Sequence, residues 1–319
     1  ITSSNNAVIA SEDAFFVMAY PLALTLNETL YFNGSVSKLI FSNVPKVNKL
    51  LGLQKSNSRI TVTSTTDKQH TGKKASAQFF TLGIDSFHTL LTHKPDYLLF
   101  VEGFDVPLTH QELLHDIHSR IRTVAKKTNT TPIFVSTNVR HISDKIISWD
   151  LFFGAALATT GLLLSNKIER IWMNGSYFPT DIIHGGTKQL DPLWSTEYMQ
   201  FLPTGYIETR FEKIQGMKKL LYFDLVQNHL RVCWKNIYDT DIKYNCSRCE
   251  KYLRTQFTLL ACGEKAQTFY KYNIESLPLL SVAPISLTQW KVAYSILKKN
   301  KKTDPRLLTY IHKTIIRSS

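Results

Sequence analysis

Asp85 and Ser86 close the run Thr81-Leu82-Gly83-Ile84-Asp85-Ser86, which directly follows the apolar stretch Gln78-Phe79-Phe80. A strand that enters a short glycine-containing turn and then a helix aims backbone N–H groups and the positive end of a helix dipole at an anion. Ser86 can donate its hydroxyl to a phosphate, and Asp85 can hold a magnesium ion or orient the loop. The same pair also makes an ordinary helix N-cap. A second centre is the window holding all four cysteines, Cys233, Cys246, Cys249 and Cys262. Zinc takes four soft ligands in a tetrahedron, and Cys246-x-x-Cys249 supplies two at a compatible distance. Cys233 adds a third. Cys262 is either the fourth or a small buried hydrophobe, and reduced thiols without metal are the alternative to the whole site. His115 and His118, at i and i+3 on one helix, could share a metal but lack a matching carboxylate pattern, and read as a solvated face. Trp194 reads as core or as a stacking platform for a base. No Ser-His-Asp signature, Walker loop or Gly-x-Gly-x-x-Gly is present.

These residues need elements to position them. From about Ser76 to Met173 apolar strands alternate with helices: strands at 78–81, 97–101, 132–135 and 170–173, and helices at 86–92, 109–127 and 146–164. Thr109 and Glu112 have capping-box spacing at the head of the second helix. Strands apolar throughout and separated by helices imply a doubly wound parallel sheet, which binds ligands at the carboxyl ends of its strands. The loops after Thr81, Val101, Ser136 and Met173 are therefore where chemistry belongs. Ahead of this domain, placed at 71–225, residues 1–70 read as a small α/β unit. It has a helix at 13–26 interrupted by Pro21, a strand at 29–32 ending in an Asn33-Gly34 turn, a helix at 36–53 and a strand at 60–65. Residues 64–75 read as a linker. Residues 226–319 form a cysteine-bearing helical part with an amphipathic helix at 288–299.

Composition bounds the class. The 319 residues are 43% hydrophobic and 20% charged with few glycines and prolines, which excludes collagen-like and largely disordered chains. The apolar run Leu151–Leu164 is too short to span a bilayer. No basic-then-apolar leader opens the sequence, and the clustered cysteines favour a reducing, cytoplasmic setting with no membrane partner. The net charge of +13 favours polyanionic partners. Much of it lies in the tail, where Lys298, Lys299, Lys301, Lys302, Arg306, Lys313 and Arg317 face Asp304 alone. This reads as a solvated helix pair or as an RNA-binding patch.

The stretch from Phe79 to Leu91 resembles the ATP-pyrophosphatase (PP-loop) motif, Ser-Gly-Gly-x-Asp-Ser. That superfamily includes asparagine synthetase, GMP synthetase, tRNA thiolases and 7-cyano-7-deazaguanine synthase. Further stretches are similar to a widespread bacterial family carrying the loop: Phe100–Asp105, Thr137–Arg140, Gly154–Ala158, Asp191–Glu197, Glu208–Lys213 and Asn245–Lys251. The resemblance runs from about residue 13 to 263. It implies a Rossmann-like fold of the adenine nucleotide alpha-hydrolase type and an adenylating ligase using ATP and Mg2+ on a small-molecule carboxylate or amide oxygen. A degenerate nucleotide- or partner-binding protein and an RNA-thiolating enzyme are the alternatives. It implies that Thr81, Gly83, Asp85, Ser86 and Val101 hold the nucleotide, with Asp85 and Ser86 serving phosphates and metal. Arg210 and Lys213 become candidates for pyrophosphate or substrate, or else end a surface helix. Two departures stand out. Leu82 replaces a glycine where backbone should approach pyrophosphate, leaving either a weaker phosphate site or a loop that no longer handles ATP. Tyr252 replaces a third Cys-x-x-Cys-x-x-Cys cysteine and is a poor zinc ligand.

Overall fold

The computed structural model describes residues 1–319 apart from 5–6, 54–58, 68–74, 177–182, 236–243, 271–273, 278–279 and 319. The chain opens with β1 (Thr2–Ser3), α1 (Glu12–Leu26), β2 (Leu30–Ser37), α2 (Lys38–Leu51) and β3 (Ile60–Thr66). Most of the expected linker lies outside the described residues. Next come β4 (Ala75–Phe79), α3 (Ile84–His93), β5 (Tyr97–Glu102), α4 (Gln111–Thr128), β6 (Thr131–Ser136), α5 (Arg140–Ser143), α6 (Trp149–Leu162) and β7 (Ile168–Asn174). A 3-10 turn at Asp191–Trp194, β8 (Gln200–Thr204), α7 (Arg210–Met217) and α8 (Phe223–His229) follow. The chain ends with α9 (Glu250–Ala261), α10 (Pro284–Lys299) and α11 (Pro305–Ser318).

Six strands form one sheet in the order β1-β6-β5-β4-β7-β8. Only β1 runs antiparallel to its neighbour; the other pairings are parallel, in registers such as Phe79↔Leu99, Leu99↔Ile133 and Gln78↔Trp172. Period-2 alternation sends Leu98, Phe100 and Phe134 into one core and Leu99, Val101, Ile133 and Val135 into the other. Helices α3, α4, α7, α9, α10 and α11 cover the first face, and α1, α2 and α6 the second. The expected α/β architecture, a doubly wound sheet compatible with a Rossmann-like fold, is thus present. From β4 the chain winds outward through β5 and β6, then returns to β7 on the other side of β4. The order therefore reverses between β4 and β7, and the crevice that reversal opens lies beyond Phe79 and Asn174.

The flanking parts share these cores. Helix α1 packs on α6, and β2 pairs with β3 in a small parallel sheet. Asp13, fully buried, accepts from the Ser37 amide at 2.6 Å and from the Tyr198 hydroxyl at 2.6 Å, tying the start of α2 to the segment before β8. Three local expectations need correction. Asn33-Gly34 is no turn: β2 runs through it, with a register shift between Phe32 and Ser35. The Thr109/Glu112 capping box does not form, because α4 starts later and His110 Nδ1 accepts from Leu113 N instead. The expected helix at 146–164 begins only at Trp149, after the short α5. No helix among the described residues is long and apolar enough to cross a membrane.

Candidate functional site

The loop between β4 and α3 stands at the reversal of strand order. Asn174 Nδ2 donates to the Phe79 carbonyl, bridging the ends of β7 and β4 there, and Gln78 Nε2 donates to the Ser86 carbonyl at 2.9 Å. Leu82 has φ +62°, the left-handed conformation that glycine adopts freely and that costs an L-residue roughly 1 kcal/mol. Its side chain does not obstruct the crevice. It is fully buried in the core with Phe80 and Phe87, while its carbonyl accepts from Arg231 N at 2.8 Å. The loop thus keeps the backbone shape a glycine would give, and burial of the leucine offsets the strain.

Gly83 caps α3 without any side-chain cap, so the first-turn amides of that helix have no competing acceptor on its own cap residue. Its φ of −83° demands no glycine. A Cβ there would stand 3.5 Å from Thr81 Oγ1, 3.6 Å from the Arg231 carbonyl and 4.0 Å from Ser86 Oγ, whose hydroxyl donates to the Gly83 carbonyl at 3.0 Å. Thr81, Gly83, Asp85, Ser86 and Val101, the residues expected to hold a nucleotide, all line one cavity of about 240 Å3. Its walls continue through Asn174, Ser176, Arg210 and Lys251 to an apolar end at Phe104, Trp149, Phe153 and Leu157.

Helix α7 supplies the cations. Its capping box is complete: Thr209 Oγ1 accepts from Glu212 N, and Glu212 accepts from Thr209 N at 2.7 Å. This fixes the first turn with Arg210 and Lys213 directed inward, 4% and 1% exposed, which corrects the surface-helix alternative. Lys213 Nζ reaches Asp85 Oδ1 at 2.5 Å and donates to the Gly175 carbonyl. Arg210 donates to Thr255 Oγ1 at 2.6 Å and lies 3.7 Å from Asp85 Oδ2. Its Nε is buried with no partner among the described residues. Ser176 Oγ donates to Asp85 Oδ2 at 2.8 Å. Burial opposes ionisation of Asp85, but Lys213 and Arg210 outweigh it and hold the carboxyl well below the usual range. Asp85 is therefore an ionised anchor for two cations, not a carboxylate free to hold Mg2+ by itself.

The cysteines divide. The ligand atoms of Cys233, Cys246 and Cys249 lie within 4.8 Å of one another, a donor set that fits zinc. Cys246 Sγ accepts from the Cys249 amide at 3.3 Å; the Cys233 and Cys249 thiols and the amides at the turn push its thiol pKa down. Cys262 is not in the cluster, contrary to its place among the expected ligands. It caps the far end of α9, with Sγ 3.9 Å from the Phe211 carbonyl. Tyr252 does not replace it: its hydroxyl donates to the Tyr270 carbonyl at 3.3 Å and its ring stacks on Phe269. The cluster adjoins the loop, since Arg231 N binds Leu82 O and Val232 lines the cavity just before Cys233.

The remaining candidates are structural. His118 is no solvated residue: Nε2 lies 2.6 Å from Glu102 Oε1, and the ring packs 3.9 Å from that of Phe134. His115 is exposed. Trp194 is core. Near it, Asp191 is fully buried and accepts from the Tyr206 hydroxyl; burial raises its carboxyl to about 7 against that bond and the Thr187 backbone contact. Sequence reasoning missed Asn174, Ser176 and Lys251 as cavity residues. Lys251 carried one usable signal, its place one turn before Arg254 and Thr255 in a helix entered from Cys249. Comparison of the chain with protein-family models, curated proteins and solved structures gives no match.

Proposed function

We propose that the crevice binds Mg-ATP and adenylates an oxygen of a small-molecule carboxylate or amide. That oxygen would attack the α-phosphorus while the bond from it to the α–β bridging oxygen breaks and pyrophosphate leaves. A nitrogen or sulfur nucleophile would then displace AMP. One observation carries the reading: the α3 N-terminus, Thr81, Ser86 and the buried Arg210 line one cavity where the strand order reverses, with Lys213 paired to the cavity residue Asp85. Cations already held by Asp85 are preorganised, and fixed charge beside a departing pyrophosphate is the largest contribution a protein makes to such a step. The cysteine trio would hold a structural zinc whose role is to fix the segment 231–233 under the loop. All four cysteines are free thiols, which supports a reducing, cytoplasmic setting.

Calorimetric titration with Mg-ATP tests the reading. Saturable binding that weakens about 10- to 100-fold in Arg210→Met supports it, by the worth of one charge-assisted contact. No heat at millimolar ATP overturns it. A second reading, nucleotide binding without catalysis, is favoured by the full engagement of Asp85 with Lys213, Arg210 and Ser176. Pyrophosphate release in the presence of candidate acids separates the two. The RNA-modifying alternative rests on the exposed basic residues of α10, α11 and the turn between them.

A further inference from the structure

We infer that Lys251 is a ligand contact of the crevice, taking an oxyanion (a phosphate or a carboxylate oxygen) of the molecule bound there; the inference rests on the nucleotide-site reading above. Lys251 is the second residue of α9 and lines the same cavity as Thr81, Ser86 and Arg210. Asp105 on the same wall attracts its charge, and the neighbouring ionic groups are paired as follows. Glu250, its neighbour, accepts from Trp290 Nε1 at 2.7 Å and pairs with Arg254 at 3.0 Å. Lys213 is held by Asp85 and the Gly175 carbonyl, and Arg210 by Thr255 with Asp85 at 3.7 Å, its Nε left without a described partner. Among these cations Lys251 is the one whose ammonium has no hydrogen bond or ion pair with any described residue.

The backbone around Lys251 is held firmly. Thr255 Oγ1 donates to the Lys251 carbonyl at 2.6 Å while accepting from Arg210, which locks the first turn of α9 to α7. Burial of the Lys251 ammonium in this wall is unfavourable, Asp105 and Asp85 attract it without a direct ion pair, and an entering oxyanion stabilises it through a charge-assisted bond. Around the cavity Lys213, Arg210 and Lys251 face the carboxylates of Asp85 and Asp105, which leaves one net positive charge for an incoming anion.

Calorimetry on the full chain with three probes tests the inference: inorganic pyrophosphate, Mg-ATP, and benzoate at saturating AMP, the last chosen for the apolar end of the cavity. Lys251→Met should weaken at least one probe about 10- to 100-fold, with Lys251→Arg restoring most of the loss. Loss on pyrophosphate and Mg-ATP assigns the oxyanion to a phosphate; loss on benzoate alone assigns it to a carboxylate. Melting temperatures of both variants within a few degrees of wild type exclude a folding defect, and exposed Lys313→Met should change nothing. If Lys251→Met binds every probe as wild type does, the inference falls while the nucleotide site stands. If wild type binds none of the three, the nucleotide reading itself falls.

Discussion

Gly83→Ala separates folding from anion binding at the loop. The residue sits at φ −83° and ψ 166°, where alanine is unstrained. The nearest atoms to an added Cβ are Thr81 Oγ1 at 3.5 Å, the Arg231 carbonyl at 3.6 Å and Ser86 Oγ at 4.0 Å, all ordinary contacts. Alanine is a poorer N-cap than glycine by about 0.5–1 kcal/mol. Its lower unfolded-state entropy returns about 0.4–1 kcal/mol. Net stability should therefore stay within about 0.5 kcal/mol of wild type. The methyl group nonetheless adds bulk to the cavity wall within 4.0 Å of Thr81 Oγ1 and Ser86 Oγ, where an anion oxygen must come within about 3 Å of donors. Losing even one or two such contacts costs about 1.5–3 kcal/mol, a 10- to 100-fold weaker complex. Thermal unfolding of both proteins, alone and with saturating Mg-ATP, reads both quantities. Equal melting temperatures without ligand and a stabilisation by ATP that is lost only in the variant are expected. An alanine variant stabilised by ATP as strongly as wild type would refute the placement of the anion beside Gly83.

Asp191 makes stability fall as pH rises. Its folded carboxyl is raised to about 7 while the unfolded one titrates near 4, so the folded state holds the extra proton between those values. Three units correspond to about 4 kcal/mol lost from pH 4 to pH 7, with no further loss above. Asp191→Asn keeps an acceptor for Tyr206 and removes that slope, so urea unfolding should find it more stable than wild type at pH 8 by about 1–3 kcal/mol and no more stable at pH 4. Asp85 acts in the opposite sense: its depressed pKa makes its contribution complete above about pH 4, and stability is lost as the pH falls below that. At the cysteine cluster, purified protein should carry about one zinc per chain; Cys246→Ser should abolish it and lower the melting temperature, whereas Cys262→Ser should leave the zinc in place.

The central strands were legible because Tyr97–Val101, Pro132–Val135 and Arg170–Met173 are short apolar runs bounded by helical stretches, a pattern only a doubly covered parallel sheet satisfies. β8 was hidden by Pro203, which argues against a strand unless it lies at an edge. β8 is an edge strand, and the missing N–H costs no ladder bond on its open side. β1 is too short to show any alternation. The loop was readable as a motif, yet the direction of the Leu82 side chain was not, because a positive φ leaves no mark on residue type here. Arg210 and Lys213 lie on one helix face by spacing alone, but their partner Asp85 is far upstream and only the packing of α7 on α3 brings them together. Cys262 was misplaced for a related reason: α9 is rigid and keeps its two ends apart.

A crystal structure with Mg2+ and a non-hydrolysable ATP analogue tests the phosphate cradle most directly. The triphosphate should lie against the first-turn amides of α3, between Thr81 and Ser86, with Arg210 and Lys251 at its oxygens. A nucleotide bound anywhere else, or an empty cavity at saturating concentration, would contradict it.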